Sequence, residues 1–313
     1  MENKNVLVAG AAGFIGFHLV QAIAKTNPKR IIGVDNFISG SKKNIEELLK
    51  IPQFEFIEKD ICDLGDVEGE IDFLFNFACP ASPIDFERLR IDIIRTGSIG
   101  DFKMLELARL KNATHIYASS SEVYGDALVN PQQEDYNGNV NINGVRSVYD
   151  ENKRFGETMA MAFHREYGLK TRIVRIFNTY GERMRANDGR STPTFIAQAL
   201  KNEDITVFGD GTQTRSPQYV SDLVAGVLKL AMSDVTLPVN IGNPQELTMN
   251  DLAQKIIEIS GSSSKVIFKP LPEHDPKVRK PDISRAKELL GWEPEVPLEE
   301  GLKKTIEWFR SSN

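Results

Sequence analysis

The chain of 313 residues has little cysteine and no long apolar run, and each shortage excludes a class of protein. Its two cysteines, Cys62 and Cys79, are too few for a disulfide framework, and with four scattered histidines they offer no metal-ligand spacing. No apolar stretch approaches the roughly 20 residues of a membrane-spanning helix. The first residues run directly into a predicted strand, which leaves no room for a signal peptide. We therefore expect a cytoplasmic protein without a metal site or membrane contact.

An excess of positive charge is also missing from the sequence. Lysine and arginine number 38 against 44 acidic residues, which gives a formal net charge of -6, and the basic residues are dispersed. Nucleic-acid binding needs a clustered basic surface, so we expect no nucleic-acid partner. The hydrophobic content of 41% is that of an ordinary globular protein, and the length allows one large domain or two moderate ones.

A glycine-rich turn near the N-terminus connects an apolar strand to a helical pattern. Glycines at a spacing of three let the backbone approach a pyrophosphate at the start of a helix. The next strand ends in an acidic residue, Asp35, which could accept both ribose hydroxyls of NAD and repel a 2′-phosphate. The alternative for Asp35 is an acid that caps a helix or turn. The predicted NAD-binding residues are Gly10, Gly13, Phe14, Ile15, Gly16, Asp35, Asn36, Asp60, Ile61, Ala78, Tyr149 and Lys153.

Apolar strands and helical patterns alternate along the first half of the chain. This alternation is typical of an α/β fold with a doubly wound parallel Rossmann sheet. Ligands of such sheets bind at the carboxyl ends of the strands. Six predicted strands end at residues suited to that edge, namely Gly10, Asp35, Asp60, Ala78, Ser121 and Asn178.

After residue 178 the sequence changes to loops and short helices, which predicts a smaller, discontinuous C-terminal α/β substrate lobe. We assign residues 1–178 to the NAD-binding Rossmann domain and expect residues 212–243 to return to it. Residues 179–211 and 244–313 would form the second lobe. Within the first domain, one long helix is predicted over residues 91–111 and another over residues 148–167.

A tyrosine and a lysine lie one helical turn apart in the stretch from Ser119 to Lys153. The spacing of Tyr149 and Lys153 puts both side chains on one helix face, so the ammonium is a neighbour of the phenol. A phenol titrates near pH ~10, and an adjacent ammonium and a cationic nicotinamide would favour its ionised form. The pair therefore predicts a general base, with an exposed polar helix face as the alternative.

The glycine turn and the Tyr149-x-x-x-Lys153 pair together resemble the extended short-chain dehydrogenase/reductase family, over essentially the whole chain. Extended members act on nucleotide sugars. The stretch Ser120-Ser121-Glu122-Val123-Tyr124-Gly125 is similar to the Thr-Ser-Glu-Val-Tyr-Gly of the UDP-glucuronate decarboxylase branch, also called UDP-xylose synthases. Arg279-Lys280-Pro281-Asp282-Ile283 and Gly144-Val145-Arg146-Ser147-Val148-Tyr149-Asp150-Glu151 also resemble that branch.

The resemblance implies a decarboxylation in which NAD is recycled. Tyr149 would take the C4 hydroxyl proton of UDP-glucuronate while NAD accepts the hydride, giving a ketone beta to the carboxylate. Loss of CO2, protonation at C5 and return of the hydride would give UDP-xylose. Ser120 or Ser121 would hydrogen-bond the C4 oxygen, and Lys153 would hold the nicotinamide ribose and lower the pKa of Tyr149. Glu122 would order a water or repel the substrate carboxylate and so ease its loss.

Substrate contacts also follow from the resemblance. Arginine forks suit diphosphate and carboxylate oxygens, which would place Arg215 near the diphosphate and Arg279 near the sugar carboxylate. The alternative for each arginine is a surface salt bridge, and Glu122 has the alternative of a buried partner for an arginine. The predicted substrate-binding residues are Pro80, Ser82, Glu122, Asn178, Arg190, Arg215 and Arg279.

Several positions depart from the family's pattern. Gly97 stands where the family has an asparagine that supports the site, and Asp101 replaces a threonine. Asn143 and Thr194 depart in two other segments around the predicted pockets. These departures leave the exact nucleotide sugar open, so the alternatives are a nucleotide-sugar C4 epimerase and a decarboxylase of another nucleotide uronate. A third alternative is a catalytically silent relative that serves as a binding protein.

The resemblance also implies how the chain assembles and what it binds. The substrate would be a UDP-sugar, held by the second lobe against the cofactor. A homodimer would form through the helices predicted at residues 91–111 and 148–167.

Overall fold

The computed structural model describes residues 1–270 and 278–312 of the protein. The strands in these residues are, in chain order, β1 (Asn5–Ala9), β2 (Arg30–Asp35), β3 (Phe54–Glu58), β4 (Phe73–Asn76), β5 (Thr114–Ser120), β6 (Thr171–Ile176), β7 (Thr179–Tyr180), β8 (Ile205–Phe208), β9 (Thr214–Arg215), β10 (Gln218–Tyr219), β11 (Val239–Ile241), β12 (Leu247–Thr248) and β13 (Val266–Lys269).

The helices of the same residues fall between and after these strands. They are, in chain order, α1 (Phe14–Ala24), α2 (Lys42–Leu48), α3 (Asp85–Arg88), α4 (Arg90–Arg95), α5 (Asp101–Leu110), α6 (Ser147–Tyr167), α7 (Ser191–Leu200), α8 (Val220–Met232), α9 (Met249–Ser260), α10 (Ser284–Leu290) and α11 (Leu298–Ser312). A π turn, Thr96–Gly100, joins α4 to α5, and a 3-10 turn, Ser121–Tyr124, follows β5. None of these helices is long and apolar enough to cross a membrane.

The central sheet has the strand order β11-β6-β5-β4-β1-β2-β3, and every neighbouring pair is parallel. In the register of the sheet, Ala9 at the end of β1 pairs with Val34 of β2 and Asn76 of β4. The carboxyl ends of the strands therefore lie along one edge. This architecture confirms the prediction of a doubly wound parallel sheet.

Strand β1 shows why both faces of the sheet are covered by helices. Side chains alternate between the faces of a strand, and β1 is apolar at consecutive positions. Val6 and Val8 belong to one core cluster, while Leu7 and Ala9 belong to a second. All four are fully buried, so apolar layers pack on both sides of the strand.

The C-terminal part of the chain contributes both to the central sheet and to a smaller group of elements. Strand β11 pairs with β6 at the edge of the sheet. Strand β13 pairs with β8 beside the helices α7 and α9. The division into the two predicted lobes, with boundaries at 178, 211 and 243, stays a prediction.

The long helix predicted over residues 91–111 is interrupted. Its first part is α4, its last part is α5, and the π turn between them contains Gly97 and Gly100. A π turn widens the helix locally because its hydrogen bonds reach one residue further than in an α-helix. The interruption lies against α6, the helix that carries Tyr149.

Candidate active site

A continuous cleft runs along the carboxyl edge of the sheet and extends between the sheet and the smaller group of elements. Its two parts share a wall that includes Phe86, Glu122, Arg146 and Asn178. The predicted site residues that line this cleft are Gly10, Gly13, Phe14, Ile15, Gly16, Ser82, Ser120, Ser121, Glu122, Tyr149, Lys153, Asn178, Arg190, Arg215 and Arg279. Segments far apart in sequence therefore meet at the predicted edge.

Six predicted residues lie beside this cleft without lining it. They are Asp35, Asn36, Asp60, Ile61, Ala78 and Pro80. The Asn36 amide donates to a carboxylate oxygen of Asp60 at 3.1 Å, so these two side chains contact each other after β2 and β3. Ile61 and Pro80 are buried, and Ala78 packs against a core cluster.

The glycine turn after β1 has the close backbone packing that its sequence predicts. Gly10 has φ +83°, and a Cβ atom there would lie 2.6 Å from the backbone oxygen of Phe77. A Cβ atom on Gly16 would lie 2.0 Å from the backbone oxygen of Gly10. Side chains are thus excluded from both positions, and the start of α1 remains open to the cleft. Such a cradle fits the pyrophosphate of a dinucleotide.

Asp35, at the end of β2, is held against this turn by backbone hydrogen bonds. The N–H of Ala12 donates to one carboxylate oxygen at 3.1 Å, and the N–H of Phe37 donates to the other at 2.8 Å. Burial raises the pKa of Asp35, and the backbone donors act in the opposite direction. A carboxylate at the end of the second strand, held against the glycine turn, is an acceptor of the kind that fits the ribose of NAD.

Tyr149 and Lys153 lie on the buried face of α6. The Lys153 ammonium is 5.6 Å from the centre of the Tyr149 ring, and Phe86 stacks on that ring at a centroid distance of 4.9 Å. Burial raises the pKa of Tyr149, and Lys153 only partly offsets this effect. The expectation that Lys153 lowers the pKa of Tyr149 is therefore right in direction for that one contact. The pKa of Tyr149 in the protein alone is nevertheless raised, because desolvation is the larger effect.

The serines at the end of β5 have different surroundings. Ser120 accepts a hydrogen bond from the N–H of Glu122 at 3.2 Å, which caps the 3-10 turn. Its side chain also hydrogen-bonds Tyr149, which acts to lower the pKa of that phenol. Ser119 donates to Glu157 at 2.5 Å, and Glu157 also binds Arg175 through both oxygens. Ser120 thus has a hydroxyl at the cleft, while Ser119 is part of a structural network.

Glu122 is the centre of a partly buried charge cluster. Its carboxylate pairs with Arg146 at 2.7 Å and with Arg279 through the other oxygen. Burial alone would raise the pKa of Glu122, but the guanidinium groups of Arg279 and Arg146 outweigh burial and hold the pKa at about 2. The alternative of a buried arginine partner therefore describes Glu122. The expected repulsion between Glu122 and a substrate carboxylate is not supported, because two positive charges compensate its negative charge.

Asp150 lies next to Tyr149 and completes this cluster. It is buried, and its Oδ1 atom has no hydrogen-bond partner among the described residues. Burial, followed by the charge of Glu122, raises the pKa of Asp150 to about 7. The two carboxyl groups of the cluster thus differ strongly in acidity, since Glu122 contacts both arginines directly.

The cleft wall opposite the sheet is made by two loops that hydrogen-bond to each other. Ser82 donates to the backbone oxygen of Asp188, and Arg190 donates to the backbone oxygen of Ala81. Arg190 also pairs with the Asp188 carboxylate at 3.2 Å. These contacts bring the loop after β4 and the loop before α7 together over the shared part of the cleft.

A family model described as "NAD dependent epimerase/dehydratase family" matches residues 6–242, which is more than half of the chain. The chain belongs to the NAD dependent epimerase/dehydratase family. Curated members include UDP-glucuronic acid decarboxylase 6 of Arabidopsis thaliana, with 48% identity over 99% of the chain and 90% of the relative. UDP-glucuronic acid decarboxylase 1 of Danio rerio is 46% identical over 98% of the chain and 73% of the relative. The resemblance to this family is thereby confirmed.

Solved structures of other epimerase/dehydratase proteins share the fold. UDP-glucose 4-epimerase of Thermotoga maritima superposes with a TM-score of 0.89 at 31% identity, covering 98% of this chain and 99% of its own. UDP-glucuronic acid 4-epimerase of Bacillus cereus, solved in complex with UDP-glucuronic acid and NAD, has a TM-score of 0.89 at 28% identity. That alignment covers 99% of this chain and 100% of the epimerase.

In this member of the epimerase/dehydratase family, some residues at the cleft were not predicted from the sequence. Arg146 contacts Glu122 and lies over the ring of Phe86 at 5.4 Å. Arg146 belongs to a stretch that resembles the decarboxylase branch, so its motif could have identified it. Phe86 follows a segment whose sequence shows neither helical nor strand periodicity. Nothing in the neighbouring residues predicts that its ring stacks on Tyr149. The described residues contain no group of three His, Cys, Asp or Glu side chains suited to a metal ion.

Proposed function

We propose that the protein decarboxylates UDP-glucuronate to UDP-xylose through a 4-keto intermediate, with NAD as a recycled cofactor. The observation that carries this proposal is the arginine-flanked carboxylate of Glu122 in the same cleft as Tyr149 and Lys153. Curated relatives named UDP-glucuronic acid decarboxylase, 46 to 48% identical over nearly the whole chain, support the same activity.

The cofactor half of the cleft fits NAD by its backbone. The turn at Gly10 and Gly16 would take the pyrophosphate, Asp35 the adenine-side ribose, and Lys153 the nicotinamide ribose. The other predicted contacts are Gly13, Phe14, Ile15, Asn36, Asp60, Ile61 and Ala78. Bound NAD supplies the acceptor of the C4 hydride and returns that hydride after CO2 is lost.

Proton transfer at C4 falls to Tyr149. Burial disfavours its phenolate, so Lys153 and the positive charge of bound NAD would be needed together to make it a base near neutral pH. Ser120 would donate its hydroxyl proton to the C4 oxygen, and Ser121 adjoins it. Oxidation at C4 places the C6 carboxylate beta to a ketone, which can accept the electrons left by departing CO2.

The charge cluster would hold the substrate carboxylate during this step. Arg279 and Arg146 carry two positive charges against the negative charge of Glu122, and the raised pKa of Asp150 keeps that group partly protonated near neutral pH, so a second carboxylate is attracted. Glu122 already occupies hydrogen-bonding capacity of both arginines. The substrate carboxylate is therefore bound without being strongly stabilised, which favours its loss as CO2.

The remaining predicted residues would bind the UDP moiety and position the sugar. Arg215 lies in the outer part of the cleft, on β9, where a guanidinium fork suits a diphosphate. Arg190 and Asn178 line both parts of the cleft and would contact the sugar and its phosphate. Ser82 and Pro80 would shape the loop above the sugar.

Incubation of the purified protein with UDP-glucuronate tests the proposal against its rivals. Mass spectrometry should show a UDP-pentose and released CO2. A C4 epimerase would give an isomer of unchanged mass, and a decarboxylase of another uronate would leave UDP-glucuronate intact but consume its own substrate. Bound NAD without turnover of any nucleotide uronate would indicate the catalytically silent alternative.

We further propose a homodimer formed through α4, α5 and α6. These neighbouring helices expose large apolar side chains, which monomers seldom leave uncovered in such number. They are Ile91, Ile94, Phe102, Leu110, Phe155 and Tyr167. Light scattering should give twice the mass of the chain, and Phe155→Glu should shift it to that of a monomer; a monomeric wild type would refute the dimer.

The two-lobe division and residence in the cytoplasm stay predictions from the sequence.

A further inference from the structure

The π turn packs against α6 where Gly97, which has no side chain, faces Asn152. A Cβ atom built on Gly97 would lie 2.0 Å from Nδ2, 2.1 Å from Cγ and 2.3 Å from Oδ1 of Asn152. Any larger residue at position 97 would have to displace the Asn152 amide. The side chain of Asn152 therefore occupies the volume that a side chain at position 97 would fill.

The Asn152 amide makes a defined contact in this volume. Its Nδ2 atom donates a hydrogen bond to the backbone oxygen of Ile93, and the Asn152 side chain is almost fully buried. The same backbone oxygen also accepts a hydrogen bond from the N–H of Thr96, where the π turn begins. The amide supplies a donor beside this junction and links α6 to α4.

The residue that accepts this hydrogen bond also packs against the proposed base. Ile93 is fully buried and forms a small apolar cluster with Phe86 and Tyr149. Asn152 is three residues after Tyr149 and one residue before Lys153 on α6. The hydrogen bond therefore fixes the turn of α6 that carries both side chains against the helix that supports the Tyr149 ring.

We infer that Asn152 is a positioning residue, whose amide, seated in the gap above Gly97, holds Tyr149 and Lys153 in place through the carbonyl of Ile93. The family's pattern has an asparagine at position 97. In this chain the asparagine comes from the opposite helix, and glycine takes the facing position. This inference rests on the proposed function, because it assigns a role within that reaction.

Single and exchanged variants at these two positions test the inference. Asn152→Ala should lower kcat for UDP-glucuronate by roughly 10- to 100-fold, with KM within about twofold, because misplacing a reacting group affects rate more than binding. It should also shift the pH at which kcat is half-maximal, since Tyr149 would sit differently relative to Lys153. Gly97→Asn alone should lower both Tm and kcat because of the overlap.

The exchange Gly97→Asn/Asn152→Gly should recover most of the kcat and Tm lost in Gly97→Asn, because contacting residues give non-additive effects. Glu166→Ala, at an exposed position further along α6, is the matched control and should leave kcat and its pH profile unchanged. An Asn152→Ala variant with unchanged kcat and pH profile, or additive Tm effects in an active enzyme, would refute the role of Asn152. A wild-type chain that does not decarboxylate UDP-glucuronate would refute the proposed function instead.

Discussion

The two halves of the cleft are built in different ways. The cofactor half is shaped by backbone, since Gly10 and Gly16 exclude side chains and Asp35 is held by the N–H groups of Ala12 and Phe37. The substrate half is shaped by long side chains from segments more than 100 residues apart, such as Glu122 and Arg279. The difference teaches that a cofactor shared by many enzymes can be bound by local geometry, whereas substrate choice depends on charges assembled by the whole fold.

The largest loss of activity is expected from a change at Tyr149, where the two halves of the cleft meet. Tyr149→Phe keeps the ring that stacks on Phe86 but removes the proton-transferring hydroxyl, so kcat should fall at least about 1000-fold. Retention of NAD, measured by absorbance of the denatured protein, should be unchanged because the backbone cradle is intact. Tyr167→Phe, on the same helix but exposed, is the control. An active Tyr149→Phe enzyme would refute the role of Tyr149 as base.

A change at Glu122 should impair the substrate half of the cleft and leave the cofactor half unaffected. Glu122→Gln should lower kcat about 100-fold and weaken the enzyme's stability, because the buried guanidinium of Arg279 and the half-buried one of Arg146 lose their compensating charge. Decarboxylation should slow more than UDP-glucuronate binding, and NAD retention should not change. Single-turnover kinetics with the variant would measure this split. A variant that decarboxylates at the wild-type rate would leave Glu122 with a purely structural role.

A smaller loss, in the affinity for NAD, is expected from a change at Asp35 in the cofactor half. Asp35→Ala removes a carboxylate acceptor for the NAD ribose and should weaken NAD binding roughly 10- to 100-fold. With saturating NAD, the KM for UDP-glucuronate should stay within about twofold, since the substrate half is untouched. Isothermal titration of the NAD-stripped protein would measure the loss, with the exposed Asp63→Ala as control. If Asp35→Ala bound NAD as tightly as wild type, Asp35 would only cap a turn and would not bind the ribose.

The last prediction concerns the pH dependence of stability, with no effect on catalysis at the C4 atom. An unfolded aspartate titrates near pH ~4, whereas burial, followed by Glu122, raises the pKa of Asp150 to about 7 in the fold. Between these values the folded chain keeps a proton that the unfolded chain has released, so the free energy of unfolding falls as pH rises. Asp150→Asn should reduce this fall by roughly 2 to 4 kcal/mol.

Urea unfolding of wild type and Asp150→Asn at pH 4.5 and 7.5 would measure that difference, and Glu166→Gln, at an exposed position of the same helix, is its control. An identical pH dependence in wild type and Asp150→Asn would mean that Asp150 is ionised throughout this range. The charge cluster of the substrate half would then contain two negative charges against two positive ones.

The sequence predicts the cofactor half well because its determinants are local. The hydrophobic periodicity and the glycine spacing predicted β1, the turn and α1, and the strand ends lie along one edge of the sheet as expected. The sign of the net effect on the pKa of Tyr149 could not be predicted, since desolvation depends on packing by Phe86 and Ile93 from a distant segment.

The substrate half was only partly predicted, for a related reason. The motifs indicated Glu122 and Arg279, but only the fold shows that these two side chains and Arg146 form one cluster. The departure at Gly97 was visible in the sequence without an explanation. Its counterpart, Asn152, lies 55 residues away on another helix, and spacing along the chain cannot report such a contact.

The central claim is that one chain oxidises C4, releases CO2 and reduces C4 again with the same NAD. Turnover of UDP-glucuronate carrying deuterium at C4 tests it most directly, with the product analysed by mass spectrometry. We predict UDP-xylose that keeps its deuterium at C4, with one CO2 per product and no accumulation of reduced cofactor. A UDP-sugar of unchanged mass, or a pentose product that has lost the deuterium, would contradict the account.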